Sequence, residues 1–161
     1  MKINKTNAMR ALDSAALPYA VHAYPHGKEA VDGAEVARLL GQDPDAVFKT
    51  LITQANTGEY LVFMLPVNAV LDLKKAAKAA GVKHTEMIHV KDITKVSGYV
   101  RGGCSPLAMK KTYRTFIEES DLLFDTICFS GGKIGVQIEM DPNALIALMH
   151  ITPCDLTQSF S

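Results

Sequence analysis

Val47-Phe48-Lys49-Thr50-Leu51-Ile52-Thr53, then Asn56-Thr57-Gly58, then Glu59-Tyr60-Leu61-Val62-Phe63-Met64-Leu65, places two apolar runs on either side of a short polar break. The first run is apolar and β-branched, as a central strand is. The last is nearly all apolar, which fits a strand buried on both faces. Asn-Thr-Gly between them reads as a hairpin loop. Neighbours joined so tightly must be antiparallel, because parallel neighbours need a crossover of about a dozen residues or more. The chain is therefore not a doubly wound parallel sheet.

The residues around this hairpin alternate helices with further strands. Asn4 or Thr6 can cap a first helix reaching about Ala16, with Ala8, Met9 and Leu12 on its apolar stripe and Pro18 beyond its end. Tyr19 to Tyr24 alternates as a strand, and His22 reads there as a half-buried strand residue rather than a ligand. Pro25 to Val31 is a polar loop, after which Asp32 caps a short helix, Glu35 to Leu40, closed by Gly41. Asp43-Pro44-Asp45 resembles one more helical turn. Asp72 to Ala80 is an amphipathic helix with Lys74, Lys75 and Lys78 outward and Gly81 as its terminator. His84 to His89 is short and ambiguous, and Asp92 to Val96 looks helical. Strands are expected over Thr112–Ile117, Thr126–Phe129 and Ile134–Met140, with Ser130-Gly131-Gly132 as a turn. Pro142, at a first helical position, starts a helix to about Met149. The expected architecture is α+β: a mixed, mostly antiparallel sheet closing into a small barrel, with helices packed outside.

Composition narrows the function classes. A chain of 161 residues with 48% hydrophobic and 21% charged side chains is expected to form one domain over residues 1–161. Seventeen basic residues balance seventeen acidic ones, which argues against coating nucleic acid by charge alone, DNA included. Cys104, Cys128 and Cys154 are too few and too scattered for a disulfide framework or a paired-cysteine metal site. Met1-Lys2-Ile3-Asn4-Lys5 lacks the apolar core of a signal peptide, and no run approaches a membrane span. A cytoplasmic protein with reduced thiols and no membrane contact is the expectation.

No metal spacing, nucleophile elbow or phosphate-loop motif occurs. Two features remain. Lys49 interrupts an apolar strand, and its ammonium must meet something polar, since an unpaired buried charge costs several kcal/mol. It either points to solvent or lines a cavity and meets an anionic or carbonyl-bearing ligand, and periodicity does not separate the two. Gly98-Tyr99-Val100-Arg101-Gly102-Gly103-Cys104-Ser105-Pro106-Leu107-Ala108-Met109-Lys110-Lys111 is the other. Glycines allow close backbone approach and Pro106 stiffens what precedes it, so the loop can aim N–H groups at an oxygen; it also reads as an ordinary long turn. Cys104 is a tempting nucleophile without a visible base, and a small apolar filler under a loop is its plainer reading.

Taken together, Tyr24, Phe48-Lys49-Thr50-Leu51, Leu73 to Lys78, Gly98-Tyr99 with Gly102 to Pro106 and Lys110-Lys111, and Ser130 to Lys133 with Gly135 resemble the bacterial Cys-tRNA(Pro) deacylases of the YbaK/EbsC family. That fold is shared by the editing insertion domain of bacterial prolyl-tRNA synthetases, and the resemblance runs over nearly the full length. It implies trans-editing: hydrolysis of the ester joining a mischarged amino acid to the terminal adenosine of tRNA, on Cys-tRNA(Pro), with Cys-tRNA(Cys) as a second candidate substrate. It also implies no cofactor and no protein nucleophile, the substrate's own thiol attacking its own carbonyl. Lys49 matches the family's lysine, and Gly102 to Pro106 its Gly-x-x-x-Pro loop. The resemblance gives Lys49, Gly102 and Gly103 catalytic roles, the glycine N–H groups facing the ester carbonyl. Tyr24, Thr50, Ser105, Pro106 and Ser130 become substrate-binding positions, while Pro25 to Gly33 aligns less clearly and contributes none. The implied partners are the aminoacyl-tRNA acceptor end and prolyl-tRNA synthetase, the latter supplying the tRNA affinity that a chain of zero net charge lacks. Lys74, Lys75, Lys78, Lys110 and Lys111 are available to contact the acceptor end. An Ala-tRNA(Pro) deacylase, or a non-catalytic module binding aminoacyl-tRNA or a synthetase, are the alternatives; Lys49-Thr50 and Ser130 resemble the cysteine type more.

Overall fold

A computed structural model describes residues 4–158, so the first and last three residues of the domain expected over 1–161 lie outside it. The hairpin around Asn56-Thr57-Gly58 is its centre. Strands β2 (Phe48–Ala55) and β3 (Tyr60–Pro66) pair antiparallel from Phe48↔Pro66 to Gln54↔Tyr60. Beyond β2 lies the short edge strand β4 (Thr85–Met87), antiparallel to it. Beyond β3 lies β5 (Arg114–Glu118), then β8 (Thr152–Cys154), each parallel to its neighbour. A second sheet has three antiparallel strands in the order β1 (Ala20–Ala23), β7 (Val136–Met140), β6 (Ile127–Ser130). Four of the six strand pairings are antiparallel, as expected of a mixed α+β sheet. The expected barrel is approached at one point only. A single parallel bridge, Val47↔Cys128, joins the two sheets, and neither sheet closes on itself.

β3 is buried almost throughout, because it has an apolar layer on each side. Leu61, Phe63 and Leu65 face a cluster completed by Phe116, Leu71, Leu156, Ala76 and Ala80, with Phe63 and Phe116 stacked at 5.3 Å between ring centroids. Ala76 and Ala80 belong to α3 (Leu73–Ala80). Asp72 caps this helix by accepting from the N–H groups of Lys74 and Lys75 at 2.9 and 3.2 Å, and Gly81 ends it at φ +69°. On the opposite side, Met64, Phe48 and Ile117 pack with Phe129, Ile127, Ile138 and Met140 of the second sheet. Ala8, Met9 and Leu12 of α1 (Asn7–Ser14) and Leu145 of α5 (Pro142–Met149) complete that core. Each buried Leu, Ile, Phe or Met side chain there contributes about 1.5–3 kcal/mol relative to exposure.

Local signals explain most element ends. The Thr6 hydroxyl accepts from Met9 N–H at 3.2 Å to cap α1, and donates to Gly131 C=O at 2.5 Å, tying that helix to the turn after β6. Asp141 caps α5, with Pro142 in its first turn. Two details depart from expectation. α5 closes on His150 in the left-handed region at φ +56°, where glycine is usual. Asp32 sits at the start of α2 (Gly33–Leu39) yet makes no capping hydrogen bond. The ambiguous His84–His89 segment contains β4, and β8 carried no recognisable signal. His22 is half-buried in β1, bonded through Nε2 to Glu139 at 2.7 Å. All three cysteines are free thiols. No helix among the described residues is long and apolar enough to cross a membrane.

Candidate active site

Between the two sheets, where the Val47↔Cys128 bridge holds them together, a cavity of about 360 Å³ opens to the surface. That is within the size range of small-ligand sites, about 300–1,000 Å³. Its floor is β2 from Phe48 to Ile52, and Phe129 and Ser130 of β6 and Val136 and Gln137 of β7 form another side. Arg101, Gly102 and Cys104 enter from the glycine loop, Val31 and Gly33 from the segment leading into α2 and its first residue, and Met87, Ile88, Val90 and Ile93 from β4, the turn after it and the start of α4 (Ile93–Ser97). The lining is mostly apolar with few polar groups, the composition that shields an ester from water while fixing its orientation.

Lys49 is half-buried in this wall. Its Nζ donates to Ala69 C=O at 2.7 Å and Val67 C=O at 3.3 Å, both in the turn that follows β3. Pairing with Leu65 across the hairpin aims it at that turn. An ammonium has three donors, so one N–H is left without a protein acceptor among the described residues. Burial lowers the Lys49 pKa below that of an ordinary lysine, and the negative charge of Asp32 partly opposes the fall. The missing cap of α2 thus coincides with an acid that acts on Lys49. The neighbouring Thr50 Oγ1 is buried and has no hydrogen-bond partner, a costly condition for a hydroxyl. Tyr24, its backbone N–H bonded to Gly135 C=O at 3.0 Å, and Ser130, whose Oγ accepts from Gly132 N–H at 3.3 Å, also reach the cavity.

The glycine loop is held from below. Tyr99 Oη donates to Leu107 C=O at 2.5 Å, Ser97 Oγ accepts from Tyr99 N–H at 3.0 Å, and Lys110 N–H donates to Ser97 C=O at 3.1 Å. Gly102 adopts φ +84°, and a Cβ there would lie 2.5 Å from Ala30 Cβ and 3.1 Å from Ala30 Cα. Glycine is required here by both backbone and packing. Gly102 and Cys104 N–H groups have no acceptor among the described residues. Gly103 N–H, in contrast, donates to Val100 C=O at 3.0 Å, and Gly103 packs on the Lys133 backbone away from the cavity lining. Gly103 N–H is thus spent inside the loop, whereas Gly102 and Cys104 N–H remain unspent. Ser105 and Pro106 are buried behind the wall; Ser105 Oγ accepts from Leu107 N–H at 3.3 Å and shapes the loop. Cys104 reaches the cavity, but burial pushes its thiol up to about 11, so it is protonated near neutrality and unfit as a nucleophile.

Of the residues expected from the sequence, the structure gathers Tyr24, Lys49, Thr50, Gly102 and Ser130 in one cavity and leaves Gly103, Ser105 and Pro106 as its support. Arg101, Val31, Asp32 and the apolar rim from Met87 to Ile93 were not anticipated. Arg101, an exposed charge directly beside two glycines, was the one with a readable signal.

A cavity lined by two sheets, with a half-buried lysine and unspent loop N–H groups in its wall, is suited to hold a carbonyl-bearing ligand. The chain belongs to the aminoacyl-tRNA editing domain family, whose model matches residues 28–148. It is 42% identical over 146 residues, 91% of this chain and 89% of the other, to EbsC of Enterococcus faecalis, named as a candidate Cys-tRNA(Pro)/Cys-tRNA(Cys) deacylase. Two solved structures share the fold. One, described as a candidate trans-editing enzyme for prolyl-tRNA synthetase, superposes with TM-score 0.82 at 20% identity, over 95% of this chain and 96% of that one. The other, of unassigned function, reaches 0.86 at 19% identity, over 95% and 100%.

Proposed function

We propose that this protein is a trans-editing hydrolase that deacylates Cys-tRNA(Pro), and Cys-tRNA(Cys) in addition. The single observation that carries the reading is the placing of Lys49, the unpartnered Thr50 hydroxyl and the free Gly102 N–H in the wall of one apolar cavity, in a chain of the editing family. The terminal adenosine ester enters with its carbonyl toward the Gly102 and Cys104 N–H groups. The remaining Lys49 N–H meets the carbonyl oxygen or the adjoining phosphate, and Thr50 Oγ1 gains the partner it lacks.

The chemistry needs no nucleophile from the protein. The substrate's Sγ attacks its own carbonyl carbon, forming a C–S bond and a tetrahedral oxyanion. Collapse breaks the ester C–O bond, the ribose oxygen takes up the proton released by the thiol, and the resulting four-membered thiolactone is opened by water to give cysteine. Orientation and oxyanion stabilisation are the protein's share. Removing one oxyanion donor from such a site costs about 10²–10³ in rate.

Two finer readings go with it. Working beside prolyl-tRNA synthetase supplies the tRNA selectivity that a chain with 17 basic and 17 acidic residues does not offer by charge. The two sheets, joined through Val47↔Cys128, act as an incomplete barrel around the ester. Purified protein incubated with Cys-tRNA(Pro) and Ala-tRNA(Pro) tests the proposal: faster loss of cysteine is expected. Faster loss of alanine overturns the substrate assignment, and binding of both without turnover overturns the activity.

A further inference from the structure

A second cavity, of about 240 Å³, adjoins the first. Met87 and Ile88 belong to both walls, so the two cavities are neighbours that meet at this pair. The second differs in chemistry. It is lined by Gln54, Asn56, Tyr60, His84, Glu86, His89 and Asp92, polar or aromatic in every case, besides Ala55 and the two shared residues. At about 3.4 Å per residue, Gln54 lies roughly 17 Å along β2 from Lys49. That is beyond the reach of the aminoacylated nucleoside itself.

Many polar groups here are unspent. Asn56 Oδ1 accepts from Lys83 and His84 N–H at 3.0 and 3.1 Å, leaving its amide N–H₂ available. Gln54 donates to Gly58 C=O at 3.2 Å and keeps its side-chain oxygen. The side chains of His84, Glu86, His89 and Asp92 make no hydrogen bond among the described residues. Imidazole and phenol rings stack on unstacked bases, and carboxylates accept from the exocyclic amine of cytosine. The lysines favoured from sequence are elsewhere. None of Lys74, Lys75, Lys78, Lys110 and Lys111 lines either cavity, and Lys75 is tied to Asp155 and to Thr157 C=O at 3.0 and 2.7 Å.

We infer that the β4 cavity is a subsite for the single-stranded cytidine that precedes the terminal adenosine of the acceptor end, read by its base edge rather than its phosphate. The inference rests on the deacylase reading. The acidic pair Glu86 and Asp92 favours a base amine and disfavours a phosphate, and the shared Met87–Ile88 rim is the crossing between the two nucleotides.

Three cysteinyl esters separate the claims: cysteinyl-adenosine, cysteinyl-CCA trinucleotide and the same trinucleotide with uridine next to the adenosine. Cysteinyl-CCA is expected to exceed cysteinyl-adenosine by about tenfold in kcat/KM, carried by KM, the scale of one stacked base. Uridine in the penultimate position should keep the stacking share of that gain and lose the share that the cytosine amine contributes. The double variant His84→Ala/His89→Ala should hydrolyse the trinucleotide no better than the adenosine ester, and Glu86→Gln should relax the choice of cytidine over uridine. These side chains are exposed and unbonded, so the fold is retained. Equal rates on cysteinyl-adenosine and cysteinyl-CCA, equal rates with uridine and cytidine, or variants with the wild-type preference overturn the subsite and leave the deacylase reading standing. Hydrolysis of none of the three esters overturns both.

Discussion

Removing the Lys49 ammonium separates a structural strap from a catalytic group, because the structure gives it both possible duties. Its Nζ holds the carbonyls of Ala69 at 2.7 Å and Val67 at 3.3 Å, so Lys49→Met, which keeps the stem, releases one good charge-assisted hydrogen bond and one weak one. Bonds to charged groups are worth about 1.5–3 kcal/mol when buried. Lys49 is only half-buried, water can replace it at the turn, and the same substitution removes the cost of desolvating a charge. The net loss of stability should be about 1 kcal/mol, a fall of about 2–4 °C in Tm. The loss of activity should be far larger, about 10²–10³ in kcat/KM on Cys-tRNA(Pro). A fall carried by kcat places the free N–H on the carbonyl, and one carried by KM places it on the phosphate. Lys49→Arg should recover the stability better than the activity, since a planar fork does not reproduce a compact ammonium. Thermal melts and single-turnover deacylation on the same preparations decide the matter. A variant that melts lower but retains activity within about threefold refutes the catalytic role and leaves the strap.

Cys104→Ala should keep deacylation within a few-fold of wild type, because its thiol, pushed up to about 11, is not ionised at working pH; a loss beyond about a hundredfold with unchanged Tm would reveal a protein nucleophile. Gly102→Ala must hold a left-handed φ of +84° while its Cβ meets Ala30 at 2.5 Å. A cost of about 2–3 kcal/mol in urea unfolding is expected, with deacylation falling further than stability as the loop N–H groups move. Asp121 is fully buried, neither oxygen makes a well-formed hydrogen bond, and burial raises its carboxyl from 3.8 to about 6. The folded state therefore holds this proton longer than the unfolded one, and Asp121's contribution falls as pH rises from about 4 to 6. Asp121→Asn should stabilise the protein by about 1–2 kcal/mol at pH 7.5, after the cost of an unpaired amide, and the difference should vanish below about pH 4; a difference that persists in acid would contradict the assignment.

The fold was legible where one residue type answers to one physical demand. Asn56-Thr57-Gly58 forced a hairpin, the run of apolar residues in β3 announced burial on both faces, and Asp72 and Gly81 bounded α3. Gaps arose where tertiary context decides. β8 contains a proline and only three residues, and becomes a strand because the edge of β5 is open to it. Asp32 has the look of a cap, yet its charge bears on Lys49 instead. The site divides in the same way. Lys49 was conspicuous as a charge in an apolar strand, and Gly102 as half of a glycine pair. The spending of Gly103 N–H on Val100 depends on the turn's own geometry and was invisible. So was the apolar rim around Met87 and Val90, whose exposure follows from β4 being an edge strand.

In the proposed reaction the substrate supplies the nucleophile and the protein supplies Lys49, Thr50 and the loop N–H groups. Replacing one atom of the substrate tests it. Cys-tRNA(Pro) and Ser-tRNA(Pro) differ only in sulfur against oxygen, fit the same cavity, and offer the same ester to water. A thiol, with pKa about 8.5, is partly ionised near neutrality, whereas an alcohol is not. Deacylation of Cys-tRNA(Pro) at pH 7.5 should exceed that of Ser-tRNA(Pro) by at least about a hundredfold in single-turnover rate, the scale of a lost catalytic group. Comparable rates on the two would show that the side chain does not attack and that the protein activates water or a nucleophile of its own.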